Sequence, residues 1–164
     1  MSDLEAVNEI EYAHLNRRPG EAPTLYKSYD LLLSRWTSGD RNRETTLRLL
    51  FLSWLSYSEA NFLTGLEPAP PRLLVDLLRA IDIDHTSDEE TLFVLHTMLQ
   101  VCGDLIAHQH PQLAELIDRN EPRIERKFRI VAPSIFVNRR AYGQYFAHQA
   151  TFQAEWDGTI PSVH

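Results

Sequence analysis

The chain has 164 residues, 43% hydrophobic and 24% charged, which suits a single domain able to bury a core of its own. That composition excludes a disordered chain, a collagen and a disulfide scaffold. Sixteen Lys and Arg against 23 Asp and Glu leave a net charge of −7; this argues against general nucleic-acid binding, which needs a basic footprint on the phosphates.

Hydrophobic periodicity predicts helix almost throughout. Residues 3–17 form a modest amphipathic segment stopped by Pro19 and Gly20. From Thr24 to Trp36, the residues Leu25, Tyr29, Leu32, Leu33 and Trp36 recur at helical spacing. Asp40 can cap the next helix, predicted over 41–63. Leu47, Leu50, Phe51, Trp54, Leu55 and Phe62 share one face of it, while Leu49 and Leu52 point elsewhere. A helix apolar nearly all round is buried on several sides or lends one side to a partner.

Gly65 and the prolines 68, 70 and 71 mark a turn, and Pro71 suits the first position of a helix carrying Leu73, Leu74, Leu77, Leu78 and Ile81. After an acidic loop, Ser87 caps a long helix running to about His108, with Glu89 and Glu90 in its first turn. His110-Pro111 starts a short helix through Asp118, and Asn120-Glu-Pro122 opens another that ends near Val131. Residues 131–138, β-branched and interrupted by Pro133, read as an extended connector, and a last helix covers 139–156.

The expectation is an all-α single domain over 1–164: a helical body (3–130), a connector (131–138) and an aromatic C-terminal helix (139–156). About seven to eight helices would stack as antiparallel αα-hairpins around a long apolar central helix, because short links join antiparallel neighbours. The acidic N-terminus lacks the apolar stretch of a secretory signal. The run Leu49–Leu55, bracketed by Arg48 and Glu59, is about half of the ~20 residues a spanning helix needs. A cytoplasmic protein without a membrane partner is expected.

No phosphate-binding glycine loop, nucleophile elbow or HExxH pair is present. The lone Cys102 reads as a small core residue and rules out a thiolate zinc site. One polar row stands out: His96, Gln100, Asp104 and His108 at four-residue spacing. It reads first as the wet side of an amphipathic helix, and second as a metal or acid–base site of His96, Asp104 and His108, with Glu59 or Tyr57 as helpers. No cofactor is called for, and the balance leans away from an enzyme.

Two further signals point to a protein partner or a second copy of the chain. Tyr142, Tyr145, Phe146, Phe152 and Trp156 lie within about 120° of arc on the last helix, where they either dock onto the core or anchor a partner. Residues 67–118 carry ten acidic and two basic side chains, whereas 119–164 carry seven basic and four acidic. Arg119, Arg123, Arg126 and Lys127 line one side of their helix, as a solvated face or as a contact for an acidic surface. The expected function is a non-enzymatic interaction or self-assembly module, with a homodimer in view. The alternative is a small helical enzyme or a ligand- or metal-binding bundle.

Overall fold

Side-chain N-caps open four of the eight α-helices in the computed structural model, which describes residues 2–158. Ser2 and Glu5 form a reciprocal capping box at the start of α1 (Asp3–Leu15). The chain turns into α2 (Leu25–Thr37), and Asn42 caps α3 (Arg43–Ser58) by accepting from the Thr45 amide at 2.9 Å. A single short turn, α4 (Asn61–Thr64), ends at Gly65 with φ 76°, and Pro71 opens α5 (Pro71–Ala80). Asp88 caps α6 (Glu89–Ala107), and α7 (Pro111–Lys127) follows with Pro111 in its first turn. A 3-10 turn (Pro133–Phe136) leads into α8 (Arg140–Trp156). Among the described residues there is no strand, and the fold is all-α with eight α-helices.

Helix α3 is the centre. Every residue from Thr45 to Ser56 is buried, and the helix packs against α2, α5, α6 and α8. Its apolar run therefore packs against neighbours on several sides, the first of the two outcomes its patterning allows. α1 lies on α2, and α6 on α7. Among the described helices only α6 is long and apolar enough to cross a membrane, and 61% of that stretch is buried in the fold.

Three elements differ from their predicted form. The helix expected over 41–63 breaks after Ser58, where Glu59 and Ala60 are extended; the Asn61 amide bonds the Leu66 carbonyl at 2.9 Å and closes a separate turn. The two helices expected on either side of Asn120 are one. Asn120 is buried, donating to the Leu116 carbonyl at 2.9 Å and to Asp84 at 2.8 Å. Arg119 and Arg123 grip the loop between α5 and α6 beside it, so the helix continues through Pro122 despite the backbone bond that a proline lacks. The connector is the third case: it coils into the 3-10 turn because Phe136, 2% exposed, seats in the core.

That connector fixes α8. A Cβ on Gly143 would lie 2.2 Å from the Phe136 carbonyl oxygen, so only glycine lets the helix approach this closely. Arg139 holds Glu44 of α3 through Nη2 at 2.6 Å and Nε at 3.2 Å, and also pairs with Glu90 of α6. The Tyr142 hydroxyl donates to the same Glu90 carboxylate at 2.7 Å. Burial, then the charge of Glu90 and this bond, hold the Tyr142 phenol well above the ordinary tyrosine range.

Candidate functional site

With its first half clamped, α8 carries its second half past α6. The buried positions change from aromatic (Tyr142, Phe146) to alanine (Ala150, Ala154) along the helix, while Phe152 and Trp156 remain 53% and 82% exposed. A groove of about 560 Å³ opens here. Thr97, Gln100 and Val101 of α6, Phe128 at the end of α7, and Phe152 and Trp156 of α8 line it, with His96 beside Phe128.

His96 is held from two sides. Its ring lies flat on Phe128, with centroids 3.6 Å apart and planes 6° from parallel. Its Nδ1 lies 2.7 Å from Oε1 of Glu125, which also accepts from Gln100 Nε2 at 3.1 Å. An ionised carboxylate only accepts, so Nδ1 carries a proton and Nε2 is the nitrogen left for other contacts. Gln153 reaches across from α8 to Thr97 Oγ1 at 3.4 Å, and that hydroxyl donates to the Phe93 carbonyl. Among the described residues no serine, cysteine or lysine lines the groove. Its lining combines aromatic walls, amide side chains, the Thr97 hydroxyl, the Asp157 carboxylate and one oriented imidazole.

The ends of the two helices that contribute Phe128 and Trp156 to the groove carry opposite charge. Arg126 and Lys127 are exposed at the end of α7 and make no ion pair among the described residues; Arg129 bonds only the carbonyls of Arg126 and Phe128. At the end of α8, Glu155 and Asp157 are exposed, also without a cation partner among the described residues.

The residues singled out from the sequence divide sharply. Tyr142 and Phe146 are fully buried and belong to an aromatic cluster with Phe51 and Phe136. Tyr145 is half-buried between Phe51 and Trp54. Those three hold the helix on the core, and only Phe152 and Trp156 present themselves outward. Arg119 is committed to Asp84 and Glu115, and Arg123 to the carbonyls of Ile83 and Thr86; Arg126 and Lys127 remain available.

The row His96, Asp104, His108 does not converge. Cys102 leaves helical geometry (φ −147°, ψ 17°) between His96 and the other two, so four-residue spacing no longer measures one face. His108 Nδ1 bonds the Asp104 backbone carbonyl, and among the described residues no three His, Cys, Asp or Glu side chains gather to hold a metal. Tyr57 donates to the Ala69 carbonyl, and Glu59 lies on a different groove. Burial pushes the Cys102 thiol up, away from reactivity.

Glu125 and Phe128, which position His96, have no signal in the sequence beyond their place on the basic helix. Compared with known protein families, with curated proteins and with solved structures, the chain matches none.

Proposed function

We propose that this chain is a non-enzymatic helical interaction module that pairs with a second copy of itself through the groove between α6 and α8. The observation that carries the reading is the pairing of two exposed aromatics, Phe152 and Trp156, with an apolar groove at their own foot. An apolar patch rimmed by polar residues marks an interaction surface, and Trp is among the residues that dominate interface energies.

These charged ends favour a second copy as the occupant. In a two-fold pairing with the axis along the groove, the exposed basic end of α7 in one copy (Arg126, Lys127, Arg129) would meet the exposed acidic end of α8 in the other (Glu155, Asp157), and the reverse would hold at the other edge. Such isologous self-complementarity is the commonest basis of homodimers. Burying the exposed half of each Phe152 would gain on the order of 1 kcal/mol.

Trp156 supplies its own test, because Trp36 and Trp54 are only 4% and 2% exposed. Iodide quenching of tryptophan emission therefore reads Trp156. Quenching that rises as the protein is diluted, in step with a fall in mass by light scattering, supports the pairing. Quenching that is independent of concentration while the mass stays that of a monomer overturns it.

A further inference from the structure

We infer that the groove between α1, α3, α4 and α8 is a binding site for a small organic amine, its ammonium paired with Glu59 and its apolar body resting on Phe51 and Leu55. The groove has a volume of about 480 Å³, within the range of roughly 300–1,000 Å³ typical of small-molecule sites. Its floor is apolar, with Leu25, Phe51 and Leu55 only 4%, 2% and 5% exposed.

Above that floor stand Glu59, the C-cap of α3, and Tyr145 and His148 of α8. Among the described residues the Glu59 carboxylate makes no hydrogen bond or ion pair, and neither the Tyr145 hydroxyl nor the His148 ring makes one. Glu59 is nevertheless near enough to Tyr145 that its charge, second to burial, pushes the phenol's pKa up. The exposed Glu59 carboxylate thus lies near an aromatic ring beside an apolar floor, with no cation of the described residues upon it. The less exposed Glu11, Glu44 and Glu90 each hold an arginine.

The neighbouring cations are turned to other work. Arg17 donates to the His14 and Leu63 carbonyls. His14, on the groove wall, is neutral at ordinary pH because burial and then Arg17 lower its pKa to about 4. A ligand that complements this site brings a positive charge and an apolar body. The charge gains a charge-assisted hydrogen bond to Glu59 and an aromatic face at Tyr145. An anion meets the uncompensated carboxylate and is repelled.

The test titrates 2-phenylethylammonium onto the full chain at about pH 8, above the ordinary imidazole range and below that of an alkylamine, and follows backbone amide resonances. The neutral isostere 2-phenylethanol and the anion phenylacetate run alongside. The expected result is saturable binding with shifts at Glu59 and Tyr145, the two comparison compounds binding about tenfold or more weakly, and a loss of about tenfold for the amine in Glu59→Gln. Equal binding of amine and alcohol, no saturable shift, or an unchanged affinity in Glu59→Gln overturns the assignment. The three-compound comparison on the unmodified chain decides the matter even if the variant fails to fold.

Discussion

The carboxylate of Glu11 and the guanidinium of Arg48, 1% and 3% exposed, meet at 2.8 Å in the interior of the protein. Glu11 also accepts from the Ser28 hydroxyl at 2.6 Å and from the Ala141 amide at 3.0 Å, and Arg48 reaches Asn8 at 2.8 Å. One ion pair therefore joins α1, α2, α3 and the first turn of α8. Removing either partner strands the other charge away from water, at a cost of about 3–5 kcal/mol. Glu11→Gln and Arg48→Met should each lower the urea midpoint strongly, and the double variant should lose less than the sum of the two. Strict additivity would show that the pair is not coupled.

Gly143 makes a narrower prediction. Alanine there would force the α8 backbone away from the Phe136 carbonyl, and overpacking of this kind costs about 1–3 kcal/mol. Gly143→Ala should therefore unfold at lower urea, and its near-ultraviolet circular dichroism should change as Tyr142 and Phe146 shift. A variant as stable as the parent would mean that α8 is not held where the structure puts it.

His14 should make the fold sensitive to acid. It is buried, its Nδ1 accepts from the Thr24 amide at 3.1 Å, and burial followed by the nearby Arg17 lowers its pKa to about 4. An unfolded histidine titrates near 6.5. Between these values the unfolded chain binds more protons, so stability falls as the pH drops from about 6.5 to 4. His14→Asn keeps an acceptor for Thr24 and removes the titration. Its urea midpoint should fall less than that of the parent between about pH 7 and pH 4.5; parallel declines would acquit His14.

Much of this architecture is legible in the residues themselves. Leu49 and Leu52, off the main apolar face of α3, signal a helix buried on several sides or lent to a partner, and the fold buries them both. Caps are visible to within a residue or two: Asn42 and Asp88 serve where Asp40 and Ser87 are expected. Contacts between distant segments are not legible. Arg48 reads as a flank of an apolar run, yet its partner lies 37 residues away in sequence; Glu125 is 29 residues from His96. A stripe of five aromatics on α8 also cannot reveal where its neighbours end. The Phe136 and Phe51 rings cover the first part of it, and Phe152 and Trp156 are left outside.

Trp156 should dominate self-association if the α6–α8 groove is the contact face. Truncating a central interface tryptophan costs about 2 kcal/mol or more, so Trp156→Ala should weaken the dimer by well over tenfold. It should leave the far-ultraviolet helical signal intact, since the side chain is 82% exposed. Tyr142→Ala should instead damage the fold, because that ring is fully buried.

The most direct measurement is a charge-swap experiment by sedimentation equilibrium. One variant reverses the basic end of α7 (Lys127→Glu with Arg129→Glu), and the other reverses the acidic end of α8 (Glu155→Lys with Asp157→Lys). In a two-fold pairing each variant alone opposes like charge to like at both edges, whereas their mixture opposes unlike charges. The account predicts a dimer for the parent, monomers for each variant and a recovered dimer for the mixture. A parent that is monomeric throughout, or variants that associate as the parent does, would contradict it.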